Sequence, residues 1–140
     1  MPNSKALLLS ATVLLLASCS RHKPVTQEEL RSQLASAASF AAETEILIDY
    51  VRQHRVTREY ARGHIEYVVQ AIDRDSKELN EALPGEVSPR ALQECKSQLN
   101  SLADAVAAAG FSLNNPEALA AAKQRIVTIR KALAKANSSL

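Results

Sequence analysis

Apolar residues recur every three or four positions through most of residues 26–136, and this period constrains the fold more than any other feature of the chain. Such a spacing places side chains on one face of an α-helix. The third segment is the most regular, and its apolar positions are Leu92, Cys95, Leu99, Leu102, Val106 and Ala109. The pattern predicts an all-α fold with helices at about 26–54, 57–83, 89–109 and 116–136.

Start and stop signals mark most of these helix ends. Thr26 and Glu29 have the spacing of a capping box. Pro84-Gly85 ends the second helix, and Ser88-Pro89 and Asn115-Pro116 each place an N-cap residue before a proline at the first helical position. We expect residues 137–140 to fray.

The junction between the first two helices has no glycine or proline. Thr57 can cap a second helix, and Arg55 and Arg58 interrupt the apolar stripe there. The sequence favours a tight turn and leaves one continuous helix as the alternative. The outer face of the second helix carries opposite charges four residues apart, which predicts ion pairs along it. These pairs are Arg62/Glu66, Asp73/Lys77, Arg74/Glu78 and Lys77/Glu81.

Short connections between long helices make neighbouring helices antiparallel. We therefore predict an antiparallel four-helix bundle, which is also two helical hairpins packed together. The first two predicted helices are longer than the last two. We expect them to overhang and to leave the segment from Tyr60 to Tyr67 less covered. Phe111 and Leu113, in the connection after the third helix, are expected to cover the end of the bundle.

Residues 1–18 have the three parts of a secretory signal peptide. Lys5 supplies a positive charge, residues 6–16 are mostly apolar, and the small residues Ala17 and Ser18 follow. The apolar run is too short to cross a hydrocarbon core of about 30 Å as a helix, which takes about 20 residues.

The end of this segment, Leu16-Ala17-Ser18-Cys19, resembles the lipobox of bacterial lipoproteins. In that family the Cys thiol is acylated and the preceding peptide is removed. The resemblance covers only residues 1–19, and it implies lipidation of Cys19 and anchoring in the cell envelope by acyl chains. Ser20 stands where inner-membrane members tend to have Asp, so it favours the outer membrane, facing the periplasm, in a host with two membranes. An ordinary signal peptide with a chance Cys is the alternative.

Residues 19–25 are predicted to be a short lipidated tether. Fully extended, about six residues reach about 20 Å, which keeps the domain close to the bilayer. Arg21-His22-Lys23 either contacts anionic head groups or is simply solvated. Lys and Arg total 17 against 15 Asp and Glu, with the charges interspersed. This balance predicts no nucleic-acid partner.

Cys95 has no partner cysteine if Cys19 carries lipid. Its position between Leu92 and Leu99 in the apolar stripe predicts a buried thiol of low reactivity. An exposed Cys95 that forms an intermolecular disulfide is the alternative.

Tyr60, His64 and Tyr67 fall on one side of the second predicted helix and are the candidate binding residues. They either form a pocket for a small ligand or metal, with His64 as ligand or base, or flank the core with their polar atoms in water. Gly63 beside them indicates close approach of another group. A metal ion needs several convergent ligands, and His54 is the only other histidine of the helical segment. We therefore predict no metal and no cofactor.

Glu43, Glu45 and Asp49 border the apolar face of the first helix, and Asp75 lies on that of the second. A buried carboxylate can act as a general acid, but such residues more often meet an Arg from a neighbouring helix. The sequence has no Gly-x-Ser-x-Gly turn, no His-Glu-x-x-His pair and no Gly-rich phosphate loop. It therefore predicts no catalytic residues and no enzymatic activity.

Together these features predict a membrane-anchored envelope lipoprotein whose helical domain binds another envelope protein or gives structural support. The alternative is a periplasmic carrier of a small ligand or metal that uses Tyr60, His64 and Tyr67. The partner's identity and the oligomeric state are not encoded in any motif of the chain.

Overall fold

The computed structural model describes residues 23–140, so the predicted signal peptide and the lipidation site Cys19 lie outside the described residues. The described part is an all-α fold with almost no strand. Its helices are α1 (Gln27–Arg52), α2 (Arg58–Glu81), α3 (Pro89–Phe111) and α4 (Pro116–Ser138). Within residues 23–140, none of the helices has the length and hydropathy that crossing a membrane requires.

The predicted capping signals are confirmed. The Thr26 hydroxyl accepts a hydrogen bond from the Glu29 N–H at 3.1 Å, and the Glu29 carboxylate accepts one from the Thr26 N–H at 2.9 Å. Hydrogen bonds from the Lys23 side chain and from Thr26 lower the pKa of Glu29 from 4.5 to about 2. Ser88 and Asn115 cap α3 and α4 through their side chains, which accept hydrogen bonds from backbone N–H groups of the first turn.

A turn separates α1 from α2, as the sequence favoured. The N–H of Arg55 donates to the Tyr50 carbonyl at 2.8 Å, and the N–H of His54 donates to the Val51 carbonyl at 3.1 Å. This pair of bonds is a Schellman motif, which requires a left-handed residue just beyond the helix. His54 takes that conformation, with φ of 54°. Thr57 then caps α2 by accepting from the Tyr60 N–H at 3.2 Å.

The helix ends differ from the predicted ones by about two residues. α1 ends at Arg52 rather than 54, and α2 ends at Glu81 rather than 83 because the residue before Pro84 disfavours helix. α3 continues through Gly110 to Phe111. α4 continues to Ser138, so half of the segment predicted to fray is helical, and Leu140 packs against the core.

Helix lengths also remove the predicted overhang. α1 and α2 have 26 and 24 residues, and α3 and α4 have 23 each. The differences are less than one turn of helix.

The predicted apolar stripes form one buried core. Almost all of their positions are buried, and the largest fully buried side chains include Leu30, Leu34, Ile48, Ile72, Leu99, Leu102, Leu119, Ile126 and Leu133. Leu113 is buried at the end of the domain, as expected. Phe111 is not, since it is 92% exposed. Because α3 continues through it, Phe111 stands two helical positions after the buried Ala109 and faces the opposite side.

Contacts between the helices show which pairs of helices pack together. The most extensive helix–helix packing is between α1 and α4, followed by α2 with α3 and then α3 with α4. Gly110 of α3 lies against Ile65 of α2, where a Cβ would come within 3.0 Å of the Ile65 methyl carbon Cγ2. Ser76 of α2 donates to the Asn100 side chain of α3 at 2.6 Å.

Charged side chains also connect helices rather than successive turns of one helix. Lys123 of α4 donates to Asp49 of α1 at 2.6 and 2.7 Å. The ion pairs predicted along α2 do not form among residues 23–140, where its only contact of opposite charges is Arg74 with Asp75 at 3.9 Å. Exposed pairs of this kind gain a few tenths of a kcal/mol, too little to hold two long side chains together.

The described end of the predicted tether is packed on the domain. Pro24–Val25 (β1) pairs in parallel with Leu83–Pro84 (β2), and the Leu83 N–H donates to the Lys23 carbonyl at 3.3 Å. Val25 is 6% exposed. Residues 23–25 are therefore part of the folded domain rather than of a tether, because burial of the Val25 side chain is favourable.

Candidate functional site

The three candidate binding residues lie on one side of α2, as their spacing predicts. The ring centroids of Tyr60 and His64 are 6.1 Å apart with an interplanar angle of 18°. Those of His64 and Tyr67 are also 6.1 Å apart, with an angle of 48°. Tyr60 and Tyr67 are 59% and 61% exposed, whereas His64 is half-buried. The row is therefore a surface feature whose central member is held against the domain.

Glu43 of α1 holds the His64 ring. The His64 Nε2 atom lies 2.7 Å from Oε1 of Glu43, and with its proton on Nε2 the imidazole donates to the carboxylate. Glu43 was expected to meet an Arg, and a histidine takes that place. The contact fixes the ring and connects α1 to α2, which pack less extensively on each other than α1 does on α4 or α2 on α3.

An open groove of about 530 Å³ lies beside this pair, between α1 and α2. We call it the α1–α2 groove, and its lining residues are Glu43, Ile46, Leu47, Tyr50, Val56, Thr57, Tyr60 and His64. Tyr67 is not among them. Ile46 is 54% exposed and Tyr50 39% exposed, so the rim of the groove presents apolar side chains to solvent.

The sequence pattern placed the candidate binding residues on α2 only, and the residues that α1 contributes to this groove were not predicted. Ile46 and Tyr50 stand four residues apart and off the predicted apolar stripe of α1. Two large apolar residues on a solvent face, one turn apart, were the available signal.

Arginines border the groove at the α1–α2 turn. The Arg55 guanidinium carbon lies 5.0 Å from the Tyr50 ring centroid, a cation–π contact. Arg52 and Arg58 line a second cleft that shares Val56 and Thr57 with the groove. Within residues 23–140 neither of these arginines, nor Arg55, forms an ion pair.

The remaining titratable candidates have structural partners. Glu45 and Asp49 meet Arg130 and Lys123 of α4, as expected for carboxylates that border an apolar face. Burial raises the pKa of Asp75 above its usual 3.8, and burial likewise raises the pKa of the Cys95 thiol.

Metal ligands do not converge in the described part of the chain. Residues 23–140 contain no group of three or more His, Cys, Asp or Glu side chains arranged to hold a metal ion. His64 and Glu43 supply two ligand side chains, fewer than the four that a closed zinc site uses.

No protein-family model, curated protein or solved structure matches the chain.

Proposed function

We propose that the protein is a lipid-anchored envelope lipoprotein whose helical domain binds a segment of another envelope protein in the α1–α2 groove. The observation that carries the proposal is the groove itself. Ile46 and Tyr50 expose apolar surface above the buried Leu47. Exposed apolar and aromatic residues that are grouped around a recess are typical of protein-binding surfaces.

The four helices are proposed to form an antiparallel bundle that presents this groove on one side. Two sets of contacts support that arrangement. Residue numbers rise along α1 as they fall along α4, from Glu45–Arg130 to Asp49–Lys123. They change in the same opposite sense along α2 and α3, where Ile65 meets Gly110 and Ser76 meets Asn100.

The chemistry of the groove specifies the bound segment. Its apolar lining fits an aliphatic or aromatic side chain, and Arg52, Arg55 and Arg58, which form no ion pair within residues 23–140, fit carboxylates beside it. Arg binds carboxylates through two parallel hydrogen bonds, and Tyr and Arg are common energetic centres of interfaces. The partner is thus proposed to present an acidic segment with at least one large apolar residue.

Anchoring of the domain is proposed through Cys19, as the lipobox resemblance implies. Three residues separate Cys19 from Lys23, where the chain is already docked on the domain. Four extended peptide units reach about 14 Å, so the anchor would hold the domain against its own bilayer.

Lipid attachment is tested by Cys19→Ser. We expect the wild type to incorporate radiolabelled palmitate and the variant to carry none, because acylation needs the thiol. Incorporation of the label into Cys19→Ser would contradict the anchoring proposal.

Partner binding is tested by photo-cross-linking in intact cells. A photoreactive amino acid that replaces Ile46 should capture one discrete protein, and the same amino acid in place of the exposed Ser97 on α3 should not. Arg55→Gln and Arg58→Gln should together abolish the adduct. Equal adducts from both positions, or none from position 46, would contradict binding in the groove.

A small-ligand or metal carrier remains the second candidate, because the groove volume of about 530 Å³ is within the range of ligand sites and His64 lines it. Native mass spectrometry of protein purified without added metal separates the two. A stoichiometric bound molecule that is lost on His64→Phe would favour the carrier. A clean mass for the chain supports the protein-binding function.

A further inference from the structure

Gly63 lies in the middle of α2, and no contact within the described domain requires a glycine there. A Cβ at this position would have no heavy atom within 4 Å, and its φ is not positive. The close approach that the sequence indicated is therefore not made by the described part of this chain. Glycine in a helix interior is less favourable than alanine by about 1 kcal/mol, and no contact within residues 23–140 offsets that cost.

The surface around Gly63 carries exposed aromatic rings on both flanks. On one flank stand Tyr60 and Tyr67. On the other is Phe111, which lines a cleft between α2 and α3 together with Arg62 and Glu66. We call Tyr60, Arg62, Gly63, Glu66, Tyr67 and Phe111 the Gly63 face.

Arg62 and Glu66 give this face opposite charges on the flank that carries Phe111. Both side chains are exposed, and neither forms an ion pair within residues 23–140. Arg62 and Glu66 stand one turn apart, two residues before and two residues after position 64. When α2 of a second copy packs antiparallel with residue 64 at the same level, each Arg62 lies beside the Glu66 of the other copy. A two-fold axis makes both pairs at once.

The same two-fold axis also brings the exposed aromatic residues of the two copies together. At this register Tyr67 of one copy lies beside Tyr60 of the other, within about 2 Å along the helix axis. Because Gly110 contacts Ile65, Phe111 lies near the level of residue 64 and meets its own copy across the axis. A single position of the two-fold axis thus places the opposite charges, the tyrosines and the two Phe111 side chains next to one another.

We propose that two copies of this chain associate through the Gly63 face. The pair has α2 packed antiparallel on α2, close approach at Gly63, reciprocal Arg62–Glu66 ion pairs and rings on both flanks. When both copies are anchored in one bilayer, the axis stands along the membrane normal and α2 runs along the surface.

Native mass spectrometry of the full-length protein, released from detergent, measures the dimer directly. We expect a dimer whose dissociation constant rises at least about tenfold on Arg62→Glu and on Glu66→Arg, because each change creates two like-charge contacts. The double variant Arg62→Glu/Glu66→Arg should return to within about threefold of the wild type. Arg90→Glu, an equal charge change at an exposed site on α3, should have no effect.

Gly63→Leu separates loss of association from loss of folding. Since nothing lies within 4 Å of a Cβ there, and leucine favours helix, its Tm should equal or exceed that of the wild type while the dimer is lost. A wild type that stays monomeric at all concentrations would overturn the proposal. So would single charge reversals that leave the dimer intact, or Gly63→Leu that still dimerises.

Discussion

The Glu45 carboxylate of α1 accepts hydrogen bonds from Nε and Nη2 of Arg130 on α4, at 2.7 and 3.3 Å. The Glu45 side chain is only 14% exposed, whereas that of Arg130 is 39% exposed, so solvent screens the pair in part. We expect a double-mutant cycle with Glu45→Gln and Arg130→Gln to give a coupling energy of about 1 kcal/mol in urea unfolding. Arg125→Gln, at an exposed neighbouring position on α4, should leave the free energy of unfolding unchanged. A coupling energy of zero would mean that the Glu45–Arg130 pair does not join the two helices.

This pair illustrates what helical periodicity can and cannot predict. The stripe of α1 put Glu45 and Asp49 at the border of the core, where a cation from another helix is the usual partner. It could not name Arg130 or Lys123, because the pairing of α1 with α4 depends on the three-dimensional arrangement. Opposite charges within α2 were predicted to pair and do not, since exposed pairs have little energy to organise them.

The α1–α2 turn is the one helix boundary without an obvious sequence signal. A Schellman motif usually has glycine in its left-handed position, and here His54 takes it with φ of 54°. We expect His54→Gly to raise the free energy of unfolding by about 1 kcal/mol, because a Cβ is strained in this conformation. Urea unfolding measures this, and Gln53→Gly, one residue earlier with φ of −88°, should not stabilise. Destabilisation by His54→Gly would mean that the imidazole makes a compensating contact.

The candidate site was predictable only along α2. Helical spacing places Tyr60, His64 and Tyr67 together because their contacts are local. Ile46 and Tyr50 join Tyr60 and His64 only through the packing of α1 on α2, which no local pattern specifies. Gly63 was predicted to mark the close approach of another group, and no group of residues 23–140 makes that approach.

Asp75 gives the stability a characteristic pH dependence. Burial raises its pKa above 3.8, with a smaller opposing effect from Arg74 and a hydrogen bond from Ser36. Between the usual and the raised pKa the folded protein binds more protons than the unfolded one, so this residue's contribution to stability falls as pH rises through that interval and is constant above it. Asp75→Asn should therefore be more stable than the wild type at pH 7 and lack this fall. Thermal unfolding across pH measures it, and equal profiles would mean that the carboxylate is well solvated.

Gly85 is required by the docking of the N-terminal segment. A Cβ there would stand 2.8 Å from the Val25 carbonyl oxygen and 2.9 Å from Cβ of Pro24, so backbone would have to move. We expect Gly85→Ala to destabilise by about 1–3 kcal/mol and to speed hydrogen exchange at the Leu83 N–H. Gly63→Ala, measured at concentrations where the protein is monomeric, is the matched control, because within one chain its Cβ meets nothing and helix propensity should give a gain of about 1 kcal/mol. Unchanged exchange at Leu83 in Gly85→Ala would mean that the segment adjusts without strain.

Cys95 is buried, as the sequence predicted, with 2% of its surface exposed, and it forms no disulfide within residues 23–140. Burial, assisted by the charge of Glu94, raises its pKa, so little thiolate forms at neutral pH. We expect slow maleimide labelling of Cys95 in the folded protein and rapid labelling in denaturant.

Two substitutions separate the packing of Cys95 from its chemistry. Cys95→Ala should destabilise by about 1–2 kcal/mol, because it removes one sulfur atom from the core. Cys95→Asp should destabilise far more, because it leaves a charge without a partner among Leu92, Leu99 and their apolar neighbours. Both are measured by urea unfolding with the wild type alongside. Rapid native labelling, or Cys95→Asp as stable as Cys95→Ala, would place the side chain at the surface and turn the buried face of α3 away from it.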